Sequence, residues 1–205
     1  MKIVSDCYLQ ESSIVCGNIS YKTDEFSLMG PHNLLNIMAV LLAIRPFTQG
    51  KELLIKKALT TFHALEHRME FVDEIEGVKF VNDSKATNTD SVKYALQSYP
   101  DRVHLILGGS DKGEDFSTLL PYLQSNNVIV YLIGTTRPRM RTAFKGMIDF
   151  KEFDNLDLAV RAAYATAFSG DTILLSPACA SYDAFKNFIH MGNSFKDIVR
   201  SIANE

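Results

Sequence analysis

The stretch Val103-His104-Leu105-Ile106-Leu107-Gly108-Gly109-Ser110-Asp111-Lys112 joins an almost continuous apolar run to a glycine-rich polar segment. A second run of the same kind follows at Val128-Ile129-Val130-Tyr131-Leu132-Ile133. Strands that are apolar at successive positions are buried on both faces, which is typical of a parallel sheet covered by helices. The two runs therefore predict an α/β fold with a mostly parallel, Rossmann-like sheet flanked by helices.

Strand and helix patterns alternate along the chain from about Leu65 onward. A hairpin is predicted from residues 69–75 and 78–81, around Glu76-Gly77. Another strand is predicted at residues 172–175. The predicted helices of this part are residues 90–98, 116–124, 139–145, 156–168, 183–190 and 195–203.

Residues 1–64 have a different pattern. Short strands are predicted over residues 3–9 and 13–16, followed by helices over residues 33–44 and 51–62. This change of pattern predicts a domain boundary near Leu65.

Composition narrows the class of protein. The chain has 205 residues, of which 46% are hydrophobic and 22% charged, as in ordinary soluble domains. A net charge of −3 argues against sequence-independent binding to nucleic acid, and no apolar run approaches the length of a membrane span. Cys7, Cys16 and Cys179 are an odd and sparse set, which favours reduced thiols in the cytoplasm over a disulfide framework.

Three predicted strands end in polar or small residues. We call these segments loop 1 (residues 82–88), loop 2 (residues 108–115) and loop 3 (residues 176–181). In an open α/β sheet such loops converge at the carboxyl ends of the strands. One such loop alone can be turn chemistry, but three at one sheet edge favour a ligand site. The carboxylate, hydroxyl and ammonium groups of loop 1 suit a phosphate or carboxylate ligand.

Several common sites are absent from the sequence. It contains neither a P-loop nor the Gly-x-Gly-x-x-Gly pattern of dinucleotide-binding folds, and no Cys/His spacing resembles a zinc site. Cys179 could act as a nucleophile, but no histidine can be assigned as its base. A buried, inert thiol is therefore the favoured interpretation.

The three loops, in this order, resemble the C-terminal domain of the Mur ligases that add D-glutamate. The resemblance extends from about Gly30 to the C-terminus, and its most specific motif is Asn82-Asp83-Ser84-Lys85-Ala86-Thr87-Asn88. The other matching motifs are Gly30-Pro31-His32-Asn33-x-x-Asn36, His67-Arg68-x-Glu70, Leu107-Gly108-Gly109 with Lys112 and Asp115-Phe116-Ser117, Leu175-Ser176-Pro177-Ala178-Cys179-Ala180-Ser181, and Asp183, Phe185, Asn187-Phe188, Gly192 and Phe195.

The resemblance implies an ATP-dependent, amide-forming reaction of peptidoglycan synthesis. In that family ATP phosphorylates the carboxylate of UDP-N-acetylmuramoyl-L-alanine, and the amine of D-glutamate then attacks the acyl phosphate. The implied cofactors of the complete enzyme are ATP and Mg²⁺. The implied partners are D-glutamate, the UDP-sugar substrate, ATP and the remaining domains of the ligase, with no role for nucleic acid or membrane.

The resemblance also implies residue roles. Positions that hold D-glutamate in the family match Thr87, Lys112, Ser181 and Phe188. Positions that meet the nucleotide match Asn33, Asn36, Arg68 and Asp83, with Lys85 at the same junction. A cation and hydroxyl donors suit two carboxylates, and arginine suits phosphate. His67 and His32 are expected to be structural.

Two departures from the family limit what this chain is expected to do. Met191 replaces an arginine that usually precedes Gly192, so one peripheral ion pair should be missing. Residues 1–64 resemble only the end of the central ATPase domain, and residues 65–205 the C-terminal domain. The P-loop, the magnesium ligands and the UDP-binding domain would lie outside, so the isolated chain is predicted to be inactive. The alternatives are a module that binds D-glutamate or a nucleotide without catalysis, and an unrelated Rossmann-like protein.

Overall fold

The computed structural model describes residues 6–26, 28, 31–62, 65–125 and 127–205. The chain forms two compact units, Met1–Ala64 and Leu65–Glu205. Each unit has its own cluster of buried apolar side chains.

The first unit combines a small antiparallel sheet with two helices. Its strands are β1 (Cys7–Gln10), β2 (Ser13–Cys16) and β3 (Ile19–Lys22), and its helices are α1 (Pro31–Ile44) and α2 (Glu52–Thr61), with 3-10 turns at Thr23–Glu25 and Arg45–Phe47. The predicted strands β1 and β2 and both helices are confirmed, whereas β3 was not predicted. Residues 3–5 of the first predicted strand and the His32 side chain lie outside the described part of the chain.

The expectation of three reduced thiols is wrong for two of them. Cys7 and Cys16 face each other across β1 and β2 and form a disulfide, with their Cα atoms 4.1 Å apart. The pairing follows from the antiparallel register, which brings side chains from opposed positions together. The number of cysteines in a sequence does not indicate which of them face each other across a pair of strands. Cys179 is the remaining cysteine, a free and buried thiol.

The second unit is built on a six-stranded sheet. The strands are β4 (Glu70–Ile75), β5 (Val78–Asn82), β6 (Val103–Gly108), β7 (Val128–Ile133), β8 (Phe150–Glu152) and β9 (Thr172–Leu175), in the order β4-β5-β9-β6-β7-β8. Strand β4 is antiparallel to β5, and all other neighbours are parallel. The predicted mostly parallel sheet is thus confirmed, although the short edge strand β8 was not predicted.

Helices cover both faces of this sheet. They are α3 (Thr89–Leu96), α4 (Leu120–Ser125) after a 3-10 turn at Phe116–Leu119, α5 (Arg137–Phe144), α6 (Leu156–Tyr164) and α7 (Phe188–Ala203). Side chains of α3, α4 and α5 pack against one face, and those of α6 and α7 against the other. Within the described ranges, no helix combines the length and apolar character that crossing a bilayer requires.

The predicted helix over residues 183–190 is wrong. Residues 182–187 form turns and bends, and a single helix, α7, begins at Phe188 and includes the predicted helix over residues 195–203. The start is fixed by Asn187, whose side-chain oxygen accepts a hydrogen bond from the backbone N–H of His190. Asn187 therefore caps the helix, and the Ser181 carbonyl opens the preceding turn by accepting a hydrogen bond from Phe185 N at 2.8 Å.

Candidate functional site at the carboxyl edge of the sheet

The three loops lie side by side at one edge of the sheet. Strands β5, β9 and β6 are parallel neighbours, and Leu175 pairs with Asn82 on one side and with Ile106 on the other. Loop 1, loop 3 and loop 2 therefore leave the sheet at adjacent positions, as predicted. Their order in space differs from their order in the sequence because β9 inserts between β5 and β6.

Backbone hydrogen bonds join these loops to one another. Asp83 N, in loop 1, donates to the Leu175 carbonyl at 2.8 Å, where β9 ends. Gly108 N donates to the Pro177 carbonyl at 2.9 Å, and Ser110 N donates to the Ala180 carbonyl at 2.6 Å. Loop 3 therefore holds loop 1 on one side and loop 2 on the other.

Gly109 allows the close contact between loops 2 and 3. Its φ angle of +151° is rarely accessible to residues with a side chain, and a Cβ atom there would overlap the Ala180 carbonyl oxygen. Gly109 N also donates to Thr136 Oγ1 at 3.1 Å. The backbone of loop 2 therefore lies directly against loop 3 at Gly109.

Asp83 is a buried carboxylate at the junction of loops 1 and 3. Ser176 Oγ donates to its Oδ2 at 2.9 Å, and Met69 N donates to its Oδ1 at 3.3 Å. The side chain is nearly inaccessible, and this burial raises the pKa of Asp83 to about 7 despite the two hydrogen bonds. Ser176 was not among the predicted site residues, although a hydroxyl directly after a buried strand was a usable signal.

Phe188 connects loop 1 to the start of α7. The Lys85 ammonium lies 5.1 Å from the centre of the Phe188 ring, within the range of a cation–π interaction. The His67 ring meets the same aromatic ring edge-on, with the ring centres 5.8 Å apart. Two residues predicted for different subsites, Lys85 and Phe188, are thus in direct contact.

A cluster of hydrogen-bonded polar side chains lies next to Phe188 and loop 1. Asn82 Nδ2 lies 3.0 Å from His67 Nδ1 and donates to Glu70 Oε2 at 2.8 Å, and Lys196 Nζ donates to Glu70 Oε1 at 3.1 Å. Burial, reinforced by the Lys196 charge, lowers the pKa of His67 and favours its neutral form. These contacts support a structural role for His67.

The predicted D-glutamate residues are distributed over the whole edge. Lys112 is exposed in loop 2, Thr87 is half-buried in loop 1, and Ser181 is buried at the end of loop 3. Asp183, to which no role was assigned, accepts a hydrogen bond from Thr135 N at 2.9 Å and lies 3.4 Å from Ser110 Oγ. Asp183 therefore connects loop 2 to the segment after loop 3. In the sequence it was identified only as one residue of a matching motif.

The predicted nucleotide residues belong to both units. Arg68, Asp83 and Lys85 lie in the second unit, where Arg68 and Lys85 are exposed. Asn33 and Asn36 lie about one turn apart on α1 in the first unit. Their roles remain predictions.

Cys179 has the character of an inert thiol. It is buried in loop 3, with its sulfur 3.6 Å from Thr136 Oγ1. Burial raises the pKa of Cys179 to about 12, so the nucleophilic thiolate is scarce at neutral pH. This supports the interpretation that Cys179 is not a nucleophile.

The chemistry of the edge suits an anionic ligand. Lys85 and Lys112 contribute ammonium groups, and Thr87 and Ser181 contribute hydroxyls, on loops that hydrogen bonds hold together. In the part of the chain that the structure describes, no three His, Cys, Asp or Glu side chains gather as metal ligands do. Groups of these kinds donate hydrogen bonds to carboxylates and phosphates.

A mostly parallel sheet flanked by helices, with polar loops at its carboxyl edge, defines an α/β domain of the Rossmann-like class. The family model for the Mur ligase, glutamate ligase domain, matches residues 67–179, which is more than half of the chain. The protein therefore belongs to the Mur ligase family.

The chain is similar to curated members of this family that share one enzyme name. The chain is 43% identical over 175 residues to a UDP-N-acetylmuramoylalanine--D-glutamate ligase of Acidobacterium capsulatum, covering 85% of this chain and 38% of the relative. It is 38% identical over 198 residues to the enzyme of the same name from Bacillus subtilis, covering 95% and 44%. The chain thus spans about two fifths of the length of the curated relatives it matches.

Solved structures have the same fold. UDP-N-acetylmuramate-alanine ligase from Thermotoga maritima matches with a TM-score of 0.65 at 15% identity, covering 93% of this chain and 44% of that one. E. coli FolC in complex with ADP matches with a TM-score of 0.64 at 19% identity, covering 97% and 48%. At these identities the likeness concerns the fold alone.

Proposed function

We propose that this chain is the C-terminal part of an ATP-dependent ligase that adds D-glutamate to UDP-N-acetylmuramoyl-L-alanine in peptidoglycan synthesis. The observation that carries the proposal is the set of Thr87, Lys112 and Ser181 on three adjacent, hydrogen-bonded loops. The names of curated relatives at about 40% identity support it. Through that reaction the protein would serve cell-wall formation, cell shape and division.

D-Glutamate needs donors for two carboxylates and an open path for its amine. Lys112 supplies a charge for one carboxylate, and the hydroxyls of Thr87 and Ser181 supply further hydrogen bonds. Phe188, in contact with Lys85 and His67, would contribute an apolar surface for the carbon chain of the substrate. These residues would fix the substrate so that its amine points at the activated carbonyl, which lowers the entropic part of the barrier.

The nucleotide is assigned to a second group of residues. Arg68 and Lys85 are exposed cations that suit phosphate oxygens, and Asp83 is assigned to the ribose. Asp83 is nearly inaccessible and both of its oxygens accept hydrogen bonds within the protein, so its assignment to the ribose rests on the resemblance alone. The resemblance also assigns Asn33 and Asn36 of the first unit to nucleotide binding.

The sequence contains no P-loop. Activation of the UDP-sugar carboxylate would therefore depend on the P-loop and metal ligands of the remaining ligase domains. The residues named above bind and orient the substrates. We assign the protein to the cytoplasm, where ATP is available for the reaction.

The purified chain should not turn over substrate alone. ADP release with ATP, Mg²⁺, UDP-N-acetylmuramoyl-L-alanine and D-glutamate should stay at the background level, because the sequence has no P-loop to stabilise phosphoryl transfer. A full-length relative serves as the positive control. Substantial turnover by the chain would disprove this division of labour.

A second candidate function is binding of D-glutamate without catalysis. The hydrogen bonds that join the three loops favour it. Calorimetric titration at millimolar D-glutamate should then give a heat of binding that Lys112→Ala removes, since an unpaired carboxylate is costly to desolvate. Lys145→Ala, at an exposed position after α5, is the control and should bind as the wild type does. An absence of heat in the wild-type chain rejects the module.

A further inference from the structure

Arg139, on α5, contacts loop 2 on both sides of Lys112. Its Nη1 atom forms an ion pair with the Asp111 carboxylate, and its Nη2 atom donates to the Glu114 carbonyl at 2.9 Å. The guanidinium also lies 5.4 Å from the centre of the Phe116 ring, where loop 2 ends. One side chain thus holds the residue before Lys112, a residue shortly after it and the end of the loop.

We propose, on the basis of the function given above, that Arg139 is a positioning residue that holds loop 2 in the shape in which Lys112 binds a D-glutamate carboxylate. Lys112 is exposed, so its own packing does little to fix its direction. The backbone on both sides must do so instead. Arg139 reaches that backbone from α5, which packs against the sheet through Met140 and Phe144.

Two further contacts complete the support of loop 2. Gly113 N donates to Asp111 Oδ1 at 2.8 Å, so the carboxylate that binds Arg139 also closes the turn around Lys112. Glu114 Oε2 accepts hydrogen bonds from Thr89 N and Thr89 Oγ1, both at 3.0 Å. Glu114 therefore ties loop 2 to the first residue of α3, two positions after Thr87.

The chemistry of Arg139 explains why a lysine would serve less well. A guanidinium can donate to a carboxylate and to a carbonyl at once and can also stack on an aromatic ring, whereas an ammonium is a single point of charge. The pair is about half exposed, so it adds little to global stability. Its loss should loosen loop 2 without unfolding the domain.

Arg141 provides a matched control on the same helix. It pairs with Glu152 of β8 through two hydrogen bonds of 2.6 and 2.7 Å. Its ion pair is exposed to a similar degree, but it lies against the edge strand. Arg141→Ala therefore removes the same charge and an equally good pair from another place.

The test measures loop order and ligand binding separately in the wild-type chain, Arg139→Ala, Arg139→Lys and Arg141→Ala. Backbone hydrogen exchange of residues 109–115 should be about 10-fold faster in Arg139→Ala, intermediate in Arg139→Lys and unchanged in Arg141→Ala. D-Glutamate binding should weaken about 5- to 20-fold in Arg139→Ala and recover partly in Arg139→Lys. In a full-length ligase carrying this unit, KM for D-glutamate should rise while kcat stays near its original value.

Each outcome decides something. Unchanged exchange in Arg139→Ala overturns the positioning role. If the wild-type chain binds D-glutamate and Arg139→Ala binds it equally well, the inference is overturned while the proposed function stands. If the wild-type chain binds no D-glutamate, binding by this chain is rejected, the substrate part of the inference falls with it, and exchange alone decides whether Arg139 holds loop 2.

Discussion

Replacing Asp83 with asparagine should raise the free energy of unfolding by about 2–4 kcal/mol at pH 8 and leave it almost unchanged near pH 4. The carboxylate is buried, and its pKa of about 7 in the folded protein lies well above the ordinary value of 3.8. Ionising it at pH 8 therefore costs more in the folded than in the unfolded state. Asparagine carries no charge and can still accept from Met69 N and donate to Ser176 Oγ.

The sign of the pH dependence follows from proton binding. Between about pH 4 and pH 7 the folded wild type keeps a proton on Asp83 that the unfolded chain releases. This group alone therefore makes the wild type less stable as pH rises through that window. Denaturation by urea near pH 4.5, 6 and 8 measures the difference between variant and wild type, which should grow with pH. A difference that is constant over this range contradicts the assignment.

Asp115→Asn is a control with the opposite sign. Hydrogen bonds from Ser117 Oγ and Ser117 N lower the pKa of the exposed Asp115. Its ionised form therefore contributes stability above its unfolded pKa, and that contribution is lost as pH falls through the folded value. The Asp115→Asn variant should be less stable than the wild type at pH 8, and the deficit should shrink towards low pH.

Gly109→Ala should destabilise the second unit by about 3 kcal/mol or more. The new methyl group would overlap the Ala180 carbonyl oxygen and come within 3.1 Å of Cys179 Cβ, in a backbone conformation that alanine rarely adopts. Relief requires loops 2 and 3 to separate, which breaks the hydrogen bond from Ser110 N to the Ala180 carbonyl. Thermal unfolding, followed by circular dichroism, measures the loss, and calorimetry should show that D-glutamate no longer binds.

Gly113→Ala separates the steric overlap with loop 3 from the unfavourable backbone conformation as causes of the loss. Gly113 lies in the same loop with a φ angle of +85°, and a Cβ atom there would meet nothing within 4 Å. Only the backbone cost of about 1 kcal/mol should remain. Equal losses in the two variants would mean that the contact with loop 3 contributes nothing.

Strong local patterns predicted most of the sheet. Strands β6, β7 and β9 are buried at most positions, so their apolar runs were sufficient without tertiary information. The strands that were missed have a different environment. Strand β3 alternates with exposed Ser20 and Lys22, and β8 has only three residues at the edge of the sheet, so pairing with a neighbour determines both.

Long-range pairing also explains the other errors. The Cys7–Cys16 disulfide depends on the register of β1 and β2, which the cysteine count cannot reveal. The false helix over residues 183–190 had helical composition, but the Asp183 side chain accepts a hydrogen bond from Thr135 and the Asn187 cap sets the start of α7 later. In both cases a contact with another segment outweighed local preference.

The sequence was enough to predict which loops form the site, but not which hydrogen bonds and ion pairs hold them together. Polar residues after three strands were enough to predict the shared edge, because parallel strands align their carboxyl ends. The bonds from Ser176 to Asp83 and from Arg139 to Asp111 cross 93 and 28 residues of sequence, and no spacing rule indicates them. The sequence therefore predicted which loops meet, while only the structure revealed how they are fastened.

The hydrogen bonds that join the three loops affect the free energy of ligand binding. Loop 3 is bonded to loops 1 and 2, and loop 2 is bonded to α3 and α5, so all three are ordered before any ligand arrives. Ordering flexible segments on binding opposes association by about 0.5–1.5 kcal/mol for each side chain immobilised. A small amino acid can make only a few contacts to offset that cost. A preformed site therefore favours the binding of so small a ligand.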